Sequence, residues 1–171
     1  MILDGLVPST QKRLSCIKQY LSLEQVRAVA QVIAECKKDE DFPFRNALAK
    51  EGLSFICEVK KASPSKGIIA EDFPFLEIAK TYESAGADAV SVLCEPDYFK
   101  GSTTYLRIIA SMIAPPCLCK DFIIDEFQIY EARSLGASAI LLICAILDDT
   151  QLKNYLELAH SLGMSALVET H

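Results

Sequence analysis

The chain has 171 residues, 51% of them apolar and 23% charged, with a formal net charge of −6. That length suits one globular domain with a sizeable core, and the acidic balance argues against a general nucleic-acid binder, which needs a basic face for phosphates. With that net charge an anionic ligand would have to be held by a local basic site, and no apolar run reaches the length of a membrane span.

The N-terminal stretch MILDGLVPSTQKRL places Asp4 early and has no long apolar run after a basic one, unlike a secretory signal. Residues 1–50 are predicted as a helical extension. Helices are expected over TQKRLSCIKQYL (10–21), LEQVRAVAQVIAEC (23–36) and the short FPFRNALAK (42–50), with Ser22 as a helix start and KKDEDFP (37–43) as a loop. From residue 51 onward the pattern changes. FICEV (55–59) is a short apolar run ending in charge, followed by the Ser-Pro-Ser-Lys-Gly turn. Three segments then repeat a weak theme: GADAVSVL from Gly86, GASAILLI from Gly136 and GMSALVET from Gly163. Each follows an amphipathic stretch, LEIAKTYESA, EFQIYEARSL or LKNYLELAHSL, and each glycine stands where a helix C-terminus needs a left-handed residue. With PPCLCKDF these make five strands, most of them separated by helices, the pattern of parallel βα units.

Four of the five strands end in ionisable groups: Glu58 and Lys60, Glu95, Lys120, and Glu169. Residues two apart on a strand share a face. Glu58 pairs with Lys60 in this way, Leu118 with Lys120, and Leu167 with Glu169 and His171. Such residues gather around one polar mouth at the C-terminal ends of barrel strands. A doubly wound sheet would more often carry a Gly-rich first turn, and no GxGxxG occurs. A (β/α)8 barrel is therefore expected, with residues 51–171 supplying strands one to five. Any one of these charges could simply solvate a loop. Together, two bases and three acids on one rim point to acid–base chemistry. Lys61 has the opposite parity and is expected to face solvent. Lys66 and His171 stay unassigned, Glu95 is left between a site residue and a structural acid, and His160 is placed on a helix surface. The seven cysteines lack the spacing of a zinc site and read as small apolar or neutral positions in a reducing cytoplasm.

The blocks CEVKKASPSKG, SVLCEPDYFKGS, CLCKDFIIDEFQIYEAR, GASAILLI and LGMSALVETH, in that order, resemble the indole-3-glycerol-phosphate synthase family of tryptophan biosynthesis. The resemblance implies a (β/α)8 barrel with extra N-terminal helices and a lyase. Its substrate is a carboxyphenylamino-deoxyribulose 5-phosphate, which undergoes ring closure, decarboxylation and dehydration without metal or cofactor. It also implies site roles. Lys120 matches the general acid on the sugar carbonyl, and Glu169 the glutamate that helps remove a proton during dehydration. Lys60 matches the lysine on the substrate carboxylate, its share in the later proton transfer left open. Glu58 matches the acid that orients the lysines, and Ser63 a phosphate contact. Phe99 and Phe122 match the walls of the anthranilate pocket.

The family pattern continues beyond strand five with an Asn and Arg, a Glu-Ser-Gly and a Gly-rich turn that are absent here. The chain is therefore expected to be a fragment lacking the main phosphate cradle, inactive alone, and self-associating or paired with a missing C-terminal half. The intact enzyme is expected in the cytoplasm, with a monomer as an open option, a small phosphorylated substrate, and neither nucleic acid nor membrane as partner. Two other readings stay open: a Schiff-base aldolase using Lys120 or Lys60 as nucleophile, and a non-catalytic, self-associating chain.

Overall fold

The computed structural model describes residues 3–36 and 42–170. His171 and residues 37–41 of the expected KKDEDFP loop lie outside the described residues. Three helices come first: α1 (Leu3–Ile17), α2 (Leu23–Cys36) and α3 (Pro43–Leu48). Helix α1 begins seven residues earlier than the sequence pattern suggested and runs through Pro8. Proline forfeits one helical hydrogen bond, but Leu6 and Thr10 are buried on either side of it. Ser22 starts α2 as expected: its hydroxyl accepts from Gln25 N, and the Gln25 side chain accepts from Ser22 N. Pro43 opens α3, where its missing N–H costs nothing.

The body consists of β1 (Ile56–Val59), a small antiparallel hairpin of β2 (Ala62–Ser63) and β3 (Gly67–Ile68), α4 (Phe75–Ser84), β4 (Ala89–Leu93), α5 (Thr103–Met112), β5 (Cys117–Lys120), α6 (Glu126–Ser134), β6 (Ala139–Ile143), a 3-10 turn (Cys144–Ile146), α7 (Asp149–Ser161) and β7 (Ser165–Glu169). Strands β1, β4, β5, β6 and β7 form one all-parallel sheet in that order. Spatial order follows chain order with no reversal, so there is no switch point of the doubly wound kind. The α/β architecture is that of consecutive (β/α)8 barrel units. Glu58, Ser91, Leu118, Ala139 and Ser165 align across the sheet in one row.

The repeated glycines behave alike. Gly86, Gly136 and Gly163 have φ of 85°, 93° and 71°. The residue after each donates its N–H back into the preceding helix, to Tyr82 O, Ala132 O and Ala159 O, at 3.0 Å in every case. This is the Schellman closure that releases a helix into the next strand. Two elements were not anticipated. Helix α5 hides in the β-branched and aromatic TTYLRIIASM, although Ser102 caps it by accepting from Thr104 N. The hairpin flanks the expected turn at Pro64.

Two apolar layers result. Val90, Val92, Cys94, Cys117, Cys119, Ile140 and Leu142 face the helices and form the main core with Leu106, Ile109, Phe127 and Met164. On the other face of the sheet, α3 sets Phe44 and Leu48 against Ala89, Leu118 and Ala139. That closes the inner face near the N-terminal ends of the strands and leaves the C-terminal ends for the polar residues.

Candidate functional site

Alternation along β1 sends Glu58 to the inner face, and Lys60 follows two residues on. The two side chains meet: Lys60 Nζ donates to Glu58 Oε1 at 2.5 Å. Lys120, at the end of β5, reaches the other oxygen, Oε2, at 3.3 Å. One carboxylate thus bridges two ammonium groups from strands separated by β4. Burial alone would raise the Glu58 carboxyl. The hydrogen bond from Lys60, then the charges of Lys120 and Lys60 and the bond from Lys120, outweigh it and hold the group below its ordinary value.

Glu58, Lys60 and Lys120 line a cavity of about 270 Å³ together with Glu169, Phe99 and Phe122. Six of the seven site residues named from the sequence therefore converge. Its apolar walls are Leu93, Leu141 and Ile143 on the strands and Leu6 of α1. Leu6 was not anticipated, since nothing local in MILDGLV marks it as anything but a helix residue. The seventh, Ser63, stands apart in the hairpin. Its hydroxyl accepts from Lys66 N at 3.3 Å and lies 3.5 Å from Ser65 Oγ. Lys61, Lys66 and Glu95 also lie outside the cavity lining.

The rings of Phe99 and Phe122 face each other at 6.2 Å between centroids and 43° between planes. Each is set by a buried acid. Glu95, only 2% exposed, accepts from the backbone N–H groups of Asp97, Tyr98 and Phe99 at 2.8–2.9 Å. Of the two roles left open for Glu95, its contacts are those of a structural acid that folds the loop after β4. Gly101 closes this loop on β4. A Cβ there would lie 2.3 Å from Leu93 O, so only glycine fits. The backbone oxygen of Phe99 also accepts from Ala62 N, tying the loop to the hairpin.

On the neighbouring strand, Asp121 follows Lys120 and accepts from Phe122 N at 2.9 Å. Gln128 brackets the same loop, donating to Phe122 O and accepting from Ile124 N. Asp121 also takes both of its oxygens to one nitrogen of Arg13, Nη2, at 2.9 and 2.7 Å. Burial is the largest influence on this carboxyl and pushes it up against the pull of Arg13. The two short contacts are nonetheless those of an ion pair. Asp121 also lines the cavity; it was missed because strand alternation assigns it to the helix side, and its partner lies 108 residues away.

The other side chains read from the sequence have plain settings. His160 stacks edge-on against Phe42, with 5.4 Å between ring centroids. Cys94, Cys117 and Cys119 are buried in the core. Burial pushes the Cys117 thiol up to about 12, which suits packing and not nucleophilic chemistry.

The arrangement offers two ammonium groups and two carboxylates in a cavity walled by two aromatic rings. It can hold a planar, anionic molecule and move protons to and from it.

The family model described as Indole-3-glycerol phosphate synthase matches residues 3–171. A relative of that name from Ruminiclostridium cellulolyticum is 48% identical over 171 residues, covering all of this chain and 65% of its own length. Another from Endomicrobium trichonymphae is 52% identical with the same coverage, and one from Lacticaseibacillus paracasei is 50% identical. The chain thus spans about 65% of the length of these curated relatives. Among solved structures, MenC from Desulfotalea psychrophila LSv54 superposes with a TM-score of 0.51 over 75% of this chain and 34% of its own, at 11% identity. That is a likeness of fold alone.

Proposed function

The chain belongs to the indole-3-glycerol phosphate synthase family, and from that premise we propose that its protein closes the indole ring of 1-(2-carboxyphenylamino)-1-deoxyribulose 5-phosphate, with loss of carbon dioxide and water. The observation that carries this reading is the Glu58 bridge between Lys60 and Lys120 beside the Phe99–Phe122 wall. The cavity takes the aromatic ring against the wall that Phe99 and Phe122 form. Lys60 pairs with the ring carboxylate that departs as carbon dioxide. Lys120 donates a proton to the sugar carbonyl oxygen as the ring carbon bonds to the carbonyl carbon. Glu58 orients both ammonium groups, so that each is aimed before substrate arrives. Glu169, on the far side of the cavity, takes up a proton during dehydration. Ser63 contributes a hydroxyl to the phosphate from the hairpin. No cofactor or metal enters this scheme.

The substrate is a small phosphorylated molecule made and consumed in intermediary metabolism, so the proposed location is the cytoplasm. Among the described residues no helix is long and apolar enough to cross a membrane.

The test is direct turnover, in protein of the length of its relatives, of the synthetic substrate to indole-3-glycerol phosphate. Borohydride reduction with a ketose phosphate runs alongside. Product without a trapped lysine adduct supports the synthase. A covalent adduct at Lys120 or Lys60 with no indole product would replace it by a Schiff-base aldolase.

A further inference from the structure

Helix α1 carries a stripe of contacts along one side of the site. Leu6 enters the cavity wall, Ser9 donates to Asp97, Arg13 reaches Asp121, and Lys18, one residue beyond the helix, pairs with Asp125 at 2.7 Å. Leu6, Ser9 and Arg13 are three and four residues apart, so they share a helix face. Their partners lie on two different loops, one after β4 and one after β5. The Ser9 and Lys18 contacts are exposed. Arg13 differs, with a side chain only 16% exposed against an Asp121 side chain at 7%. Its guanidinium also feels the charges of Glu95 and Glu131. With Cys94, Gly101, Gln128 and Glu131 it lines a hollow of about 120 Å³ between α1, α6 and the loop after β4.

We propose that Arg13 is a positioning residue for this site, setting both rings of the aromatic wall and the Lys120 ammonium through two buried acids. Asp121 is covalently flanked by Lys120 and Phe122, so fixing its carboxylate fixes the backbone from which both side chains project. Glu95 gathers the N–H groups of residues 97–99 and so sets Phe99. Arg13 binds Asp121 directly and lines one hollow with Gly101 of the loop after β4, so its cation holds the loop after β5 by contact and attracts Glu95 by charge. An arginine suits the place because its guanidinium keeps its charge when partly buried, and one of its nitrogens, Nη2, meets both Asp121 oxygens. Arg13 itself does not line the substrate cavity, so it acts through the acids alone.

The kinetic arm of the test rests on the ring-closure reading; the exchange arm does not. In protein of the length of its relatives, Arg13→Met is expected to raise KM about fivefold to tenfold and to lower kcat about tenfold. Displacing a reacting group by an ångström costs up to about a hundredfold. Lys18→Met, which removes an exposed tie of the same helix, should leave both within about twofold, as exposed ion pairs contribute little. Partial unfolding of Arg13→Met would lower kcat through loss of active molecules but could not raise KM. Amide hydrogen exchange at residues 97–99 and 122–124 should accelerate in Arg13→Met and not in Lys18→Met. If Arg13→Met does not fold, Asp121→Asn is judged by the same two measurements. A KM within twofold of the unmodified protein overturns the proposal, whatever happens to Tm. If the unmodified protein shows no turnover, the ring-closure reading falls and the exchange arm decides alone: unchanged exchange in both loops then overturns the positioning role.

Discussion

Among single residues, Lys60, Lys61 and Lys120 separate by direction. Lys60 and Lys120 converge on Glu58; Lys61 is one residue out of phase, and its backbone oxygen accepts from the hairpin at Ile69 N. Lys120→Met is expected to lower kcat by about two to four orders of magnitude, the usual share of a positioned acid, with a smaller effect on KM. Lys61→Met should be near normal in both, and equal losses at the two positions would contradict the assignment of faces. The acids divide as well. Glu58 is held below its ordinary value by its two lysines, so its bridge should persist down to pH below 4.5 and fail only under stronger acid. Glu131 goes the other way: burial, and then the Asp121 charge, raise it above 4.5 despite Arg13. Between 4.5 and that raised value the folded chain keeps a proton that the unfolded chain has lost, so stability falls as pH rises through that window. Glu131→Gln should flatten this part of a Tm-against-pH curve, and an unchanged slope would remove Glu131 as its source.

Within elements, the site depends on loops tied to rigid strands. Glu95 satisfies three N–H groups with two oxygens. Glu95→Gln replaces one acceptor with a donor, leaving at least one partly buried N–H without its partner, at a cost of about 1 kcal/mol. Thermal unfolding should show that loss. Because Phe99 closes the loop, KM should rise in the same variant; a lower Tm with unaltered KM would separate Glu95 from the aromatic wall. The hairpin gives a second case. Ser63 Oγ has only weak contacts at 3.3 and 3.5 Å within its own turn, which leaves it available to a phosphate. One hydrogen bond to a charged group is worth roughly 1.5–3 kcal/mol, so Ser63→Ala is expected to raise KM about ten- to a hundredfold. An unmoved KM would put the phosphate elsewhere.

For the molecule as a whole, the sheet runs from β1 to β7 without closing among the described residues. Its two outer strands present unpaired backbone edges. Beside them the apolar side chains are bare: Phe55 and Ile56 at one end, Leu167 and Val168 at the other, are each 40–59% exposed. The interior strands β4 and β6 are buried along their whole length. A large apolar side chain left in water forgoes about 1.5–3 kcal/mol, which is considerable against the roughly 5–15 kcal/mol that holds a domain together. The 171-residue chain purified alone is therefore expected to associate through these edges and to turn over little substrate. Light scattering and assay of one sample test both parts, and a homogeneous, fully active 18.8 kDa monomer would contradict them.

Local chemistry in the sequence determined the strands, the glycine-ended helices and the inward parity of Glu58, Lys60, Lys120 and Glu169, because alternation and left-handed glycine are properties of a few adjacent residues. The same locality hid α5, whose β-branched residues mimic a strand until Ser102 caps it and the sheet buries Leu106 and Ile109. Only the tertiary structure decided that Glu58 bridges two lysines, that Glu95 serves a loop, and that Leu6, Arg13 and Asp121 belong to the site's surroundings. Those facts depend on contacts across as many as 108 residues of chain. Such contacts arise when helices and loops pack against a finished sheet, and no spacing within a single segment encodes them.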